Sequence, residues 1–195
     1  MLRLFTGLAL PQGYQDGLAQ LRRTWQPQLG PLLKLVRDGN WHVTLKYLGS
    51  VAEQDLDGVK QALAGVRFEP FTAQAGGCGT FPPRGWPRVL WVGMERGAQE
   101  MAALAASVDR ALEPLGYAPQ DRPFHAHLTL ARINPPGRTK SAEHTQGDSW
   151  PEVIARIATR QWEAFEVQGF TLWRSVLGPG GPRYTSLVDY GATSL

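Results

Sequence analysis

The sequence predicts an α+β protein made of two related β-α-β-α-β lobes within one domain, residues 1–195. Three observations carry that prediction. Short alternating apolar runs trade places with longer stretches whose apolar residues recur every three or four positions, the signatures of strands and amphipathic helices. The order of these elements starts again near residue 86. Two landmarks keep their spacing across the restart: Arg3 and Arg88 are 85 residues apart, and so are His42 and His127. A fixed separation between matching elements marks a duplicated unit, with approximate halves 1–82 and 86–195 and a rough two-fold between them.

In the first half, residues 3–10 alternate as a strand, and Pro11 sits where a helix can start. Tyr14, Leu18, Leu21 and Trp25 then form one helical stripe. After Gly30-Pro31, residues 41–48 read as a second strand. Ser50 with Glu53 has the form of a capping box, ahead of a helix faced by Leu56, Val59, Leu63 and Val66. A Gly-rich strand at 71–81 closes the half. The second half repeats the order, with a strand at 88–93, a helix marked by Met101, Leu104, Val108 and Leu112 that ends near Gly116, and a strand at 125–131. Residues 134–150 mix Pro, Gly, Ser and charges and read as a loop. A short helix at 151–160 and strands at 165–176 and 184–190 complete the chain, the strands joined by Gly178-Pro179-Gly180-Gly181-Pro182.

Composition narrows the function classes. At 43% hydrophobic residues and a net charge of +3, the chain is not of the disordered kind. No run of 18 apolar residues is present, which argues against a membrane-spanning helix, and the N-terminus lacks the build of a signal peptide. Cys78 stands alone, so neither a disulfide framework nor a cysteine metal site is expected, and a cytoplasmic, reducing environment fits. The small positive charge permits an anionic partner without demanding one.

Histidine is the informative residue, because only four are present: His42, His125, His127 and His144. Two of them open copies of the same motif, His42-Val43-Thr44-Leu45 and His127-Leu128-Thr129-Leu130, at matching points of the duplicated unit. Side chains alternate along a strand, so each His shares a face with the Thr two residues on. Two such strands related by a two-fold would place two imidazoles and two hydroxyls around one cleft. That set suits acid–base work on a phosphate ester. One neutral imidazole takes a proton from water and one imidazolium gives a proton to the leaving oxygen, while hydroxyls hold the non-bridging oxygens. No metal or nucleophilic side chain is required.

These residues resemble the two-histidine phosphoesterase superfamily and, within it, the bacterial and archaeal RNA 2′,3′-cyclic phosphodiesterases, also called 2′-5′ RNA ligases. The resemblance runs nearly end to end, through Arg3-Leu4-Phe5, residues 42–49, 88–93, Arg122-Pro123-Phe124, residues 127–132 and Leu172-Trp173-Arg174-Ser175. It implies a bilobal α+β fold and hydrolysis of a 2′,3′-cyclic phosphate at an RNA end to a 2′-phosphate. The reverse, ATP-independent ligation uses the same residues. It implies His42 as proton donor, His127 as proton acceptor, Thr44 and Thr129 as phosphate contacts, no cofactor, and RNA ends or short nucleotides as partners of a monomer. The sequence by itself leaves the two His roles interchangeable.

Further residues carry alternatives. Lys46 continues the His42–Thr44 face as a phosphate contact or a plain surface lysine. His125 shares the His127 face and is read as a strand-end surface residue or a substrate contact. Alternation puts Arg132 on the opposite face, but a bulge or strand end would turn it into the cleft, and the Ala131-Arg132 ending that resembles the family's keeps it as a candidate substrate contact. Trp41 and Tyr47 are read as stacking partners for bases or, since alternation puts them with Val43 and Leu45, as core residues, and are assigned to the core. Arg138, Lys140 and His144 in the 134–150 loop are read as RNA contacts or, in preference, as part of a solvated loop, and Cys78 reads as structural. Three rival functions stand beside the phosphodiesterase: a zinc site at His125, His127 and His144, a non-catalytic module that binds RNA ends, and a cyclic phosphodiesterase of a small nucleotide such as ADP-ribose cyclic phosphate.

Overall fold

In the computed structural model, residues 1–26, 33–84, 86–133, 150–179 and 181–193 are described. The strands are β1 (Leu2–Ala9), β2 (Leu33–Leu35), β3 (His42–Val51), β4 (Phe71–Phe81), β5 (Val89–Arg96), β6 (His127–Ile133), β7 (Phe165–Val167), β8 (Gly169–Gly178) and β9 (Gly181–Gly191). The helices are α1 (Gln12–Trp25), α2 (Leu56–Ala64), α3 (Ala98–Leu112) and α4 (Trp150–Ala158). The strands make one sheet in the order β7-β4-β5-β6-β3-β1-β8-β9, with β2 attached to β6. Every pairing in it is antiparallel.

The order reads the same from either end: β3 faces β6 at the centre, β1 and β5 flank them, and β8 and β4 come next. β4 belongs to the first half of the sequence yet pairs with β5, while β8 belongs to the second half yet pairs with β1. Each lobe therefore draws strands from both halves. A strand exchange of this kind ties the lobes together without a linker.

The predicted helical faces are buried: Tyr14 and Leu18 on α1, Val59 and Leu63 on α2, and Met101, Leu104, Val108 and Leu112 on α3. They cover one face of the sheet, where Leu4, Leu8, Val43, Leu45, Leu90, Leu128 and Leu130 meet them in a common core. Tyr14 shows why a phenol stands in that core. Its ring stacks on Trp162 at 5.0 Å, its hydroxyl donates to the Glu163 carbonyl at 2.6 Å, and it accepts from the Ala75 amide at 3.0 Å. A buried hydroxyl without such partners would cost about 1–3 kcal/mol.

The structure departs from the expected elements in four places. The strand expected at 165–176 is two, β7 and β8, which part to opposite ends of the sheet, β7 pairing with β4 and β8 with β1. The Ser50–Glu53 capping box does not form. β3 runs on to Val51, Ser50 pairs with Arg3 in the sheet, and α2 is entered through a 3₁₀ turn, Glu53–Asp55, with no side-chain cap. Strand β6 begins at His127, two residues later than expected. The three-residue β2 is too short to leave an alternation pattern. The 134–149 segment, with Arg138, Lys140 and His144, lies outside the described residues. Among those residues no helix is long and apolar enough to cross a membrane.

Candidate active site

The two motif histidines occupy equivalent positions, each the first residue of its strand. Val43 pairs with Leu128 across β3 and β6. That antiparallel register sets His42 opposite Thr129 and Thr44 opposite His127, so imidazole and hydroxyl alternate around one cleft. The strands then part. β2 takes the β6 edge at residues 131–133, and the Val36 amide donates to the Leu130 carbonyl at 2.9 Å. At the equivalent point of β3, Gln120 Nε2 donates to the Leu45 carbonyl at 3.0 Å.

Hydrogen bonds fix both imidazoles in the same tautomer. His42 Nδ1 lies 2.7 Å from the Asn40 carbonyl, and His127 Nδ1 lies 2.7 Å from the His125 carbonyl. A carbonyl only accepts, so Nδ1 carries the proton in each ring and Nε2 is left for chemistry. His42 Nε2 lies 3.0 Å from Thr44 Oγ1, whose hydroxyl donates to the neutral ring.

Aromatic side chains wall each histidine. His42 sits among Phe5, Tyr184 and Trp173, with ring centroids 4.8, 5.2 and 5.6 Å away. His127 sits among Phe81, His125 and Trp91, at 5.1, 6.1 and 6.4 Å. Two glycines make room for the indoles. A Cβ on Gly79 would stand 2.4 Å from the Trp91 ring, and one on Gly7 would stand 3.1 Å from Trp173 and 2.3 Å from the Val43 carbonyl oxygen.

These walls set the protonation states. Burial lowers the His42 pKa to about 4, and the nearby His127 and Arg132 charges act in the same direction, against the Asn40 hydrogen bond. The His127 pKa is lowered as well, first by burial and then by His125 and Arg132. Both rings are neutral at pH 7 in the free protein. A histidine held neutral by folding weakens the fold in acid, because the unfolded chain takes up the proton first. This histidine's contribution to stability is complete above the unfolded pKa of about 6.5, falls as the pH drops from there toward 4, and is gone below that. For half-buried His42 the loss is at most about 3 kcal/mol. Urea unfolding of the wild type and of His42→Gln is expected to show a smaller fall in midpoint between about pH 7 and 4.5 for the variant. Equal falls would contradict this.

A β-bulge in each motif strand decides where the next residues point. Thr6 pairs with Lys46 and Gly7 with Thr44, which leaves Leu45 as an extra residue. Leu90 pairs with Ala131 and Trp91 with Thr129, which leaves Leu130 as its counterpart. An extra residue reverses the alternation. Leu45 and Lys46 are therefore both buried, as are Leu130 and Ala131, and the next residues, Tyr47 and Arg132, turn outward on the cleft side.

Three expectations change with that reversal. Lys46 is only 3% exposed and lies on the helix side, where its ammonium pairs with the Asp109 carboxylate of α3 and donates to the Ala118 carbonyl at 2.7 Å. It does not face the cleft. Removing one partner of a buried pair strands the other charge, so Lys46→Met is expected to cost about 3–5 kcal/mol in urea unfolding. The double variant with Asp109→Leu should recover most of it, and a single-variant cost under about 1 kcal/mol would contradict the buried pairing. Arg132, which strict alternation puts on the opposite face, takes the alternative expected of a bulge and is exposed beside both histidines. Tyr47, assigned to the core, is 51% exposed.

The remaining candidates keep their expected surroundings. Trp41 is buried in the core. His125 is exposed just before β6, with its ring 4.6 Å from Trp91. Cys78 is half-buried against the core, and burial pushes its thiol up to about 12, which leaves it unreactive. Among the described residues no three His, Cys, Asp or Glu side chains converge to hold a metal; His144 lies outside them.

Comparison with known proteins gives this arrangement its relatives. The family model described as LigT like Phosphoesterase matches the chain twice, over residues 8–91 and 92–184, one copy for each half of the repeat. The chain is 34% identical over 165 residues to an RNA 2′,3′-cyclic phosphodiesterase of Aeropyrum pernix, covering 85% of this chain and 89% of the relative. It is 31% identical over 186 residues to the protein of the same name from Archaeoglobus fulgidus, covering 95% and 98%. A crystal structure of a Thermus thermophilus protein superposes with a TM-score of 0.74 at 30% identity, covering 97% of both chains. Escherichia coli LigT complexed with 3′-AMP shares the fold, with a TM-score of 0.75 over 99% of both chains at 24% identity. The duplicated family match and the paired histidine strands agree: the chain belongs to the LigT-like family of two-histidine phosphoesterases.

Proposed function

We infer that this protein hydrolyses the 2′,3′-cyclic phosphate at the end of an RNA, leaving a 2′-phosphate and a free 3′-hydroxyl. The observation that carries this reading is the convergence of both H-x-T-L strands on one cleft, in a chain aligned nearly end to end with proteins named for that activity.

The chemistry follows from the reactive nitrogens. His127 Nε2 takes a proton from water as the water oxygen attacks phosphorus, and His42 Nε2 gives a proton to the departing 3′-oxygen as the P–O3′ bond breaks. Attacking and leaving oxygens lie in line, which places the two imidazoles on opposite sides of the phosphate. The Thr44 and Thr129 hydroxyls donate to its non-bridging oxygens, and the Arg132 guanidinium offsets their charge. His42 gains its proton when the anionic substrate arrives, since a neighbouring negative charge stabilises an imidazolium. Run backward, the same steps join the ends without ATP. Both motifs come from one chain, so a monomer suffices.

One observation favours exchanged roles: the low His42 pKa suits a base in the free protein. In that second reading His42 activates water and His127 protonates the leaving oxygen.

The reading is tested on a short RNA ending in a 2′,3′-cyclic phosphate, after dialysis of the protein against EDTA. The expected product is the 2′-monophosphate, formed at an undiminished rate. A 3′-phosphate product would contradict it, as would a rate lost on chelation and restored only by a divalent metal. The same product assay with ADP-ribose cyclic phosphate ranks the small-nucleotide alternative.

A further inference from the structure

The cleft is symmetric in its histidines but not in its rim. The bulges put Tyr47 and Arg132 at equivalent places, five residues beyond His42 and His127, so a phenol in one half matches a guanidinium in the other. On the His42 side a cation comes instead from β1. Arg3 Nη2 donates to the Tyr47 hydroxyl at 2.7 Å, and its guanidinium lies 5.8 Å from the centre of the same ring. Tyr184 joins this pair to the site. Its ring meets His42 edge-on at 5.2 Å and Phe5 at 4.9 Å, and its phenol lies within electrostatic reach of Arg132, Tyr47 and Arg3 together.

Two guanidiniums and two phenols thus form one continuous strip running outward from His42. Arg3, Tyr47 and Arg132 are exposed, and neither arginine has a carboxylate partner among the described residues. Arginines left without acidic partners beside aromatic hydroxyls favour a phosphate. Direction follows from the reaction. With His42 as donor to the 3′-oxygen, the ribose and everything 5′ of it lie on the His42 side, and water arrives from the His127 side.

We propose that Arg3, Tyr47 and Tyr184 form a second phosphate subsite that receives the phosphodiester immediately 5′ of the reacting nucleotide. This rests on the phosphodiesterase reading and deepens it, because the strip selects an RNA end over a free nucleotide cyclic phosphate. Arg3 supplies the charge. Tyr47 holds it in place, with its exposed ring available to the sugar and base beyond. Tyr184 bridges the subsite to the reaction centre.

Three substrates test this: a nucleoside 2′,3′-cyclic phosphate, the dinucleotide with the same cyclic end, and that dinucleotide with a neutral methylphosphonate linkage. Wild type is expected to show kcat/KM about tenfold higher for the charged dinucleotide than for the other two. Its salt dependence should be steeper by about 0.7 in log–log slope. Arg3→Gln removes the charge and Tyr47→Phe releases it. Both variants are expected to turn over the nucleoside substrate within about twofold of wild type and to lose most of the dinucleotide advantage. Equal wild-type turnover of all three substrates overturns the subsite and leaves the phosphodiesterase standing. So does an advantage that survives in Arg3→Gln. No turnover of any of them overturns both.

Discussion

Alanine at His42 or at His127 is expected to lower kcat on a cyclic-phosphate end by about 10³-fold, within the roughly 10²–10⁴ range of a positioned acid or base. That is about 4 kcal/mol of transition-state stabilisation for each residue. The double variant should be within roughly tenfold of either single one, because donor and acceptor act in the same transition state and the loss of one leaves the other little to do. Single-turnover assays with purified variants check this, together with urea unfolding at about pH 7 to confirm that the folds are intact. If either variant keeps more than about a tenth of the wild-type rate, that histidine is not in the proton path.

Arg132→Met is expected to produce two effects that a structural residue would not produce together. The first is a loss of about 10²-fold in kcat/KM, since a charge aimed at the non-bridging oxygens is removed. The second is a rise in the pKa of both His42 and His127. Arg132 lowers each of them in the free protein, and removing a neighbouring cation makes an imidazolium easier to form. Proton NMR titration of the ring signals reads the second effect without any substrate. Arg132→Lys, which keeps the charge but not the planar fork, should fall between wild type and Arg132→Met on both measures. Unchanged histidine titrations in Arg132→Met would remove Arg132 from the cleft.

Much of this site is legible in the order of the residues alone. The equal 85-residue separations reveal the duplication, and the two-residue periodicity puts each Thr on its histidine's face. Apolar stripes locate the cores of α1, α2 and α3, because helical spacing records burial directly. Period-two counting fails at Lys46, Tyr47 and Arg132 for one physical reason. A bulge adds a residue without changing the composition of the strand, so the phase reversal at Leu45 and Leu130 leaves no mark within either strand. It shows only in the pairing with β1 and β5. The exchange of β4 and β8 between lobes is invisible for a similar reason, because each has the apolar pattern of a strand whichever partner it pairs with. Ser50 and Glu53 have the spacing of a cap, but pairing with Arg3 keeps Ser50 in the sheet.

The proton donor can be identified with a substrate in which sulfur replaces the bridging 3′-oxygen of the cyclic phosphate. A thiolate leaves without needing a proton, so only the donor becomes dispensable. With this substrate His42→Ala is expected to run within about tenfold of wild type, while His127→Ala stays about 10³-fold slower. Rescue of His127→Ala instead would exchange the two roles. Rescue of neither variant would contradict the division of acid and base between the two histidines.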